Sequence, residues 1–164
     1  MLILRKADPK DAALVFALVR ELAEYERLTH EVVATEADIA AELFGPRPRV
    51  FCDIAEWDGA PAGFALWFYN YSTFRGRCGI YLEDLYVRPA LRGRGIGKAL
   101  LSNLARRCAA EDLARLEWAV LNWNAPSIAF YESLGARPLD QWTVYRLTGP
   151  ELAALGNGTA ATSA

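Results

Sequence analysis

Glycine and basic residues alternate in a short segment in the second half of the 164-residue chain. The glycines stand at every second position and the cations are interleaved with them, as Arg92, Gly93, Arg94, Gly95, Gly97 and Lys98. The segment follows an apolar run, 80–87, that predicts a strand, and it precedes a helical pattern. Glycine lets a backbone approach a ligand closely, and a helix start offers unpaired N–H groups at a positive dipole end. The sequence therefore predicts a site for a phosphate or pyrophosphate.

Two common phosphate-binding loops do not fit this segment. The nucleoside-triphosphate loop needs Gly-x-x-x-x-Gly-Lys-Ser/Thr, but Ala99 follows Gly97-Lys98, and Arg92 stands where the first glycine belongs. The dinucleotide fingerprint needs a glycine at the position of Lys98. A glycine-rich turn without any ligand is the simpler alternative, and the interleaved cations argue against it.

Two adjacent carboxylates, Glu83 and Asp84, lie on the predicted strand before the loop. Neighbouring side chains on a strand point to opposite faces, so the two cannot share one pocket unless a bulge rotates the strand. This argues against a hydrolase with paired carboxylates. One carboxylate can instead attract an ammonium and then accept its proton, which an amine nucleophile needs because its neutral form is about one part in 2,500 at pH 7.

The elements around these residues predict a mixed α/β fold. Capping signals at Asp8-Pro9 and Thr35 precede two early helices, and Asp58-Gly59 is typical of a tight hairpin turn. The remaining expected elements are strands 50–56, 63–71, 80–87, 116–121 and 142–147, a helix after the glycine loop, a helix 126–134, and a last helix with capping-box spacing from Thr148 to Glu151. We expect a mixed central sheet with helices on both faces, in one domain 1–155, with a disordered tail 156–164.

Composition excludes several classes of protein. Lys plus Arg total 18 against 20 Asp plus Glu, so no basic surplus exists for a nucleic-acid partner. No apolar run approaches the ~20 residues of a membrane span. Three scattered cysteines and a single histidine predict neither a disulfide framework nor a metal site. A soluble, cytoplasmic protein without a membrane partner is expected.

Two motifs in order carry a family resemblance. Arg92-x-x-Gly95-x-Gly97 resembles the acetyl-CoA pyrophosphate loop of the GCN5-related N-acetyltransferase (GNAT) superfamily. About thirty residues later, Asn122 to Ala136 resembles the family segment Asn-x-x-(Ser/Ala)-x-x-(Phe/Leu)-Tyr-x-x-x-Gly-(Ala/Phe). The resemblance implies the GNAT fold, acetyl-CoA as co-substrate, no metal, and N-acetyltransferase activity.

The resemblance also implies which residues bind acetyl-CoA. They are Leu85, Tyr86, Val87, Arg92, Gly93, Arg94, Gly95, Ile96, Gly97, Lys98, Asn124, Ser127 and Tyr131. Backbone N–H groups of 85–87 would stabilise charge on the thioester carbonyl. Tyr131 would protonate the departing thiolate, and Glu83 would be the water-mediated base.

Within the superfamily the chain is similar to the spermidine/spermine acetyltransferase branch, with its thialysine- and diamine-acetylating relatives. The segments that carry this likeness are 21–26, 71–77 and 81–85. The implied acceptor-binding residues are Tyr25, Glu26, Glu83, Asp84, Glu117 and Trp118. Asp84 is open to a second interpretation, a structural hydrogen bond. An amino-acid acceptor would need a cation, from Arg75, Arg77 or a partner subunit, and the family implies a homodimer.

The implied reaction is direct transfer, in a ternary complex, to a primary amine of a small polyamine, diamine or amino-acid-like acceptor. Two alternatives stay open at this stage. One is a protein N-terminus or lysine as the acceptor, and the other is a non-catalytic acetyl-CoA sensor. The presence of both Glu83 and Tyr131 favours an enzyme.

Overall fold

The computed structural model describes residues 1–158, and contacts within the chain divide it into two compact units with the boundary after Leu121. The elements of the first unit are β1 (Leu2–Lys6), α1 (Ala12–Tyr25), α2 (Glu36–Phe44), β2 (Phe51–Trp57), β3 (Ala60–Ser72), β4 (Arg77–Val87), α3 (Ile96–Ala110) and β5 (Leu116–Trp118). The described part of the second unit contains α4 (Ala125–Ser133) and α5 (Gly149–Gly156).

The five strands form one sheet in the order β1-β2-β3-β4-β5. Neighbours are antiparallel except β4 and β5, which are parallel because α3 connects them as a crossover. The predicted turn at Asp58-Gly59 is confirmed, since both residues have the positive φ (50° and 81°) that a two-residue hairpin favours. The expected mixed sheet is therefore present.

Helices pack on both faces of this sheet, as expected. On one face α1 packs against alternate residues of three strands, and the shared buried cluster contains Val15, Leu18, Leu22, Ile54, Phe64, Leu66 and Tyr86. Trp67 follows Leu66 on β3 and so faces the other side. There the guanidinium of Arg107 on α3 lies 4.9 Å from the Trp67 ring centroid.

A polar network fixes the chain where it enters α1. The Asp8 side chain accepts a hydrogen bond from the Lys10 N–H, and the Asp11 carboxylate accepts one from the Asp8 N–H at 2.8 Å. Arg5 donates to both Asp11 oxygens, at 2.6 and 2.9 Å, and to Glu56 at 2.7 Å. These bonds join β1 and β2 to the start of the helix, so the cap predicted at Asp8-Pro9 is confirmed.

The strand predicted at 142–147 is wrong. Its side chains alternate in the manner of a strand, but Trp142 and Tyr145 are 73% and 92% exposed. Residues 143–147 make no backbone hydrogen bond to any other residue in the described range 1–158. A strand forms only where a partner pairs with its N–H and C=O groups, and alternation cannot supply that partner.

Three smaller expectations have mixed outcomes. β5 ends at Trp118 instead of 121. Thr148 precedes α5 without a side-chain capping bond, because the next residue, Gly149, has a φ of 58° that departs from capping-box geometry. Of the expected tail, Gly156 ends α5 and 157–158 form a turn, while 159–164 lie outside the described residues. The single domain 1–155 stays a prediction.

The Arg5–Asp11 pair gives a prediction about stability. The Arg5 guanidinium holds the pKa of Asp11 below its usual range, so the ionised carboxylate stabilises the fold above about pH 4, and this stabilisation is lost as the pH falls. We expect Asp11→Asn to lower the free energy of unfolding by about 2 kcal/mol at pH 7. Urea titrations at pH 7 and pH 3.5 should show the difference shrinking at the lower pH.

Asp112→Asn is the matched control for this experiment. Asp112 forms an exposed ion pair with Arg77, so its removal should change the free energy of unfolding by less than about 0.5 kcal/mol. An equal loss in both variants would contradict the role assigned to the Asp11 network.

Candidate active site

The loop from β4 to α3 has the backbone geometry of an anion site. Gly93 and Gly95 have φ values of 76° and 79°, a conformation that L side chains rarely adopt, so the backbone favours glycine at both positions. A Cβ at either position would meet no atom of residues 1–158 within 4 Å, so the described part of the chain leaves the space beside this backbone open. No side chain of the described residues caps α3, which begins at Ile96. The N–H groups of its first turn therefore remain for a ligand.

Two arginines of this segment are held by neighbouring elements. Arg88 donates to both Glu21 oxygens, at 2.8 and 3.1 Å, and to the Pro61 carbonyl at 2.9 Å. Arg94 lies with its guanidinium 5.3 Å from the ring centroid of Trp57. Arg88, Glu21 and Trp57 are not among the site residues predicted from the sequence. These contacts anchor the loop to α1 and to the β2–β3 hairpin.

Arg92 contacts a predicted acceptor-site residue. Its guanidinium lies 4.4 Å from the ring centroid of Tyr25 and 5.7 Å from that of Tyr86, and its Nε donates to the Val87 carbonyl at 2.9 Å. Glu21 and Tyr25 are four residues apart on α1 and so share a face. The spacing shows that the two side chains share a face of α1, but it does not show which loop that face contacts.

β4 carries a bulge at the predicted base. Asp84 pairs with Leu66 and Leu82 pairs with Trp67, so Glu83 is the extra residue of the strand. A bulge locally rotates a strand, so the simple alternation expected for Glu83 and Asp84 does not hold. Glu83 is exposed, whereas Asp84 is half-buried.

Asp84 belongs to a group of three carboxyls with Glu83 and Glu26. Burial, with a smaller contribution from the negative charges of Glu83 and Glu26, raises the pKa of Asp84 to about 7. Burial also raises the pKa of Glu26. At neutral pH, Asp84 is therefore close to half-protonated, a state in which it can accept or release a proton.

The pairing between β4 and β5 stops just before the bulge. β5 pairs only with Ile80, Tyr81 and Leu82, and β4 continues to Val87 with β3 on its other side. One edge of residues 83–87 is thus without a strand partner among the described residues. This edge includes Leu85, Tyr86 and Val87, which are expected to offer N–H groups to the thioester carbonyl.

Glu117 and Trp118 lie on β5, opposite Tyr81 and Leu82. The Glu117 carboxylate accepts a hydrogen bond from Asn70 at 2.8 Å and forms an ion pair with Arg115 at 2.9 Å. An acceptor ammonium would compete with these two groups. The role of both residues in acceptor binding stays a prediction.

The second unit carries the other predicted residues on α4. The side-chain oxygen of Asn124 is buried and accepts a hydrogen bond from the Ser127 N–H at 3.3 Å, and so caps the helix. Ser127 and Tyr131 are four residues apart and share one face of α4. The half-buried Tyr131 ring lies 5.4 Å from the ring of Phe130. Asn124 therefore has a structural role in addition to its predicted contact with CoA.

Comparison with known proteins identifies the class to which this fold and loop belong. The model of the acetyltransferase (GNAT) family matches residues 15–136. The chain therefore belongs to the GNAT family and is an N-acetyltransferase. The resemblance to the family is confirmed.

Curated relatives lie in the expected branch. A thialysine N-epsilon-acetyltransferase from Bos taurus is 37% identical, with 90% of this chain and 92% of the relative covered. An L-ornithine N5-acetyltransferase from Arabidopsis thaliana is 32% identical over 93% of this chain and 86% of the relative. Among solved structures, an integron cassette protein from the V. cholerae mobile metagenome has a TM-score of 0.78 at 27% identity, covering 94% of this chain and 97% of that one.

Acetyltransferases of this family take their acetyl group from acetyl-CoA. The described loop fits the pyrophosphate of that co-substrate, because Gly93 and Gly95 leave open space at an uncapped helix start beside Arg92, Arg94 and Lys98. Within 1–158, no helix is both long and apolar enough to cross a membrane. Over the same range, no three or more His, Cys, Asp or Glu side chains are arranged so that they could hold a metal ion.

The buried carboxyl gives a second prediction. The raised pKa means that the folded state holds the Asp84 proton more tightly than the unfolded chain, so this contribution to stability is present at pH 4 and lost as the pH rises through 7. We expect Asp84→Asn to be more stable than the wild type at pH 8, by at most about 4 kcal/mol, and equal to it at pH 4. Urea unfolding at both pH values measures this difference.

Glu42→Gln serves as the control, because Glu42 is an exposed carboxylate on α2. Its stability should follow the wild type at both pH values. A difference between Asp84→Asn and the wild type that is the same at pH 4 and pH 8 would refute the buried-carboxyl explanation.

Proposed function

We propose that the protein transfers an acetyl group from acetyl-CoA to a primary amine of a small polyamine, diamine or amino-acid-like acceptor. One observation carries this proposal. Three carboxyls, Glu26, Glu83 and Asp84, interact electrostatically in the same unit as the phosphate-binding loop, and the residue next to Glu26 contacts Arg92 of that loop. Carboxylates in this number attract a cationic acceptor, and the curated relatives are named for thialysine and ornithine.

The three carboxyls have two roles in this reaction. They bind an alkylammonium, whose pKa is about 10.4. They also supply a route for the proton that must leave before the nitrogen can attack. Glu83, which is exposed at the bulge, would receive that proton through water. The half-buried Asp84 lies beside it and titrates near neutral pH, which makes it suitable to pass the proton on.

The remaining steps use the roles that the family resemblance implies. Arg92, Arg94, Lys98 and the first N–H groups of α3 would hold the pyrophosphate, and N–H groups of 85–87 would stabilise charge on the thioester oxygen. The Tyr131 hydroxyl would donate a proton to the departing sulfur. Transfer would then occur directly between the two bound substrates, without an acyl-enzyme.

An acceptor that carries its own carboxylate needs a cation nearby. Of the two arginines considered, Arg77 is already paired with Asp112 at 2.6 Å on the surface. Arg75 lies in the loop between β3 and β4, where its backbone N–H donates to the Ser72 hydroxyl oxygen. Arg75 is therefore the better of the two candidates for binding an amino-acid acceptor.

The expected outcome of an activity assay follows from these roles. Thiol release from acetyl-CoA is measured with spermidine, spermine, putrescine, thialysine, ornithine and lysine, and at least one should be turned over. Glu83→Gln should lower kcat by about a hundredfold or more, because the proton route is lost. Tyr131→Phe should also lower kcat strongly while the Kd of CoA stays within about twofold of wild type.

Glu42→Gln, on the exposed face of α2, is the activity control and should match the wild type. If no amine of the panel is acetylated although CoA still binds, the proposal of a small-amine acceptor is rejected. A protein amine as acceptor, or a sensor function, would then be favoured. A loss of activity in the control equal to that in Glu83→Gln would reject the role of the carboxylate.

We also propose that the protein forms a homodimer, as the family resemblance implies. The support is an exposed apolar stretch, in which Trp142, Val144 and Tyr145 are 73%, 89% and 92% exposed. Grouped apolar side chains of this kind mark protein contacts. Light scattering should give twice the chain mass of 18.2 kDa, and a single chain mass at micromolar concentration would overturn the dimer. The cytoplasmic location stays a prediction.

A further inference from the structure

Arg92 belongs to the predicted pyrophosphate site and also contacts Tyr25 of the predicted acceptor site. Its Nε is used by the Val87 carbonyl, and one face of its guanidinium is covered by the Tyr25 ring. Its two Nη groups make no hydrogen bond to any residue between 1 and 158. The side chain is therefore held on one side by protein and has its strongest anion-binding donors still available.

The other two arginines differ from Arg92 in their contacts. The guanidinium of Arg88 is taken up by Glu21 and the Pro61 carbonyl, so it acts as an anchor. Arg94 stacks on Trp57, which belongs to β2 and is not among the predicted acceptor residues. This difference supplies an internal control within one loop.

Tyr25 connects Arg92 with the predicted acceptor-binding residues. It is the last residue of α1, and the next residue, Glu26, contributes charge that raises the pKa of Asp84. Tyr25 is therefore the neighbour in the chain of Glu26, one of the three carboxyls that would bind the ammonium. One turn earlier, Glu21 and Arg88 hold the same helix to the same loop.

We propose that Arg92 is a positioning residue that couples acetyl-CoA binding to the acceptor site through Tyr25. A pyrophosphate on the Nη groups fixes the guanidinium, and the fixed guanidinium holds the Tyr25 ring as one wall of the acceptor site. By thermodynamic reciprocity, an acceptor that orders Tyr25 raises the affinity for CoA by the same factor. This inference rests on the proposed function, because it takes Tyr25 as part of the acceptor site.

The test measures the Kd of CoA by calorimetry in a set of variants. Tyr25→Leu removes the aromatic face and should raise the Kd about threefold to tenfold, a size typical of one cation–π contact. Tyr25→Phe keeps the ring and should stay within about twofold of wild type. In an Arg92→Met background, Tyr25→Leu should have no further effect, since the contact is already lost.

A second arm adds a saturating amine, chosen from those that the activity panel shows to be acetylated. The amine should lower the Kd of CoA in the wild type and in Trp57→Leu, but not in Tyr25→Leu. Trp57→Leu weakens the support of Arg94 alone, so it separates a general loosening of the loop from the specific coupling. Thermal melts verify that each variant is folded.

The two proposals fail in different ways. If CoA does not bind the wild type, or no amine is acetylated, the proposed function is rejected. If CoA binds but Tyr25→Leu matches Tyr25→Phe, or if the effects of Arg92→Met and Tyr25→Leu simply add, the coupling through Arg92 is overturned. Equal loss of amine coupling in Trp57→Leu and Tyr25→Leu would also overturn it.

Discussion

The bulge at Glu83 is the constraint on which the rest of the site depends. Regular pairing from Leu82 onward would leave β5 in contact with β4, and the edge of 83–87 would be closed by its neighbour. The pairing with β5 covers three positions and stops just before the extra residue, Glu83, which is exposed, while Asp84 lies in an environment that disfavours its charge. The bulge therefore coincides with the unpaired edge of β4, with an exposed carboxylate at Glu83, and with a second carboxyl, Asp84, whose pKa is about 7.

The sequence alone predicts those features that local chemistry determines. The caps at Asp8 and Thr35 and the Asp58-Gly59 turn each follow from one or two residue types and are present as expected. The glycine loop belongs to the same class, because the positive φ values of Gly93 and Gly95 are conformations that few other residues adopt. The family motif then supplies the chemistry of the loop.

Features that depend on distant partners are not predictable in this way. The bulge at Glu83 arises from the register with β3, and the contact of Arg92 with Tyr25 joins residues far apart in the chain. The failed strand at 142–147 shows the same limit, since alternation describes one segment whereas a ladder requires two. Asp84 illustrates it for electrostatics, because its protonation depends on burial and on Glu26, which lies on another element.

The helical spacing of Glu21 and Tyr25 has a consequence for how this domain can change length. Both residues dock on the same loop, so inserting or deleting one residue between them would turn one side chain by about 100° around the helix axis and break one of the two contacts. Insertions before Glu21 would shift both together, and those after Glu26 would shift neither. The number of residues between Glu21 and Tyr25 is therefore fixed by the two contacts, whereas the length of the chain after Glu26 is not constrained by them.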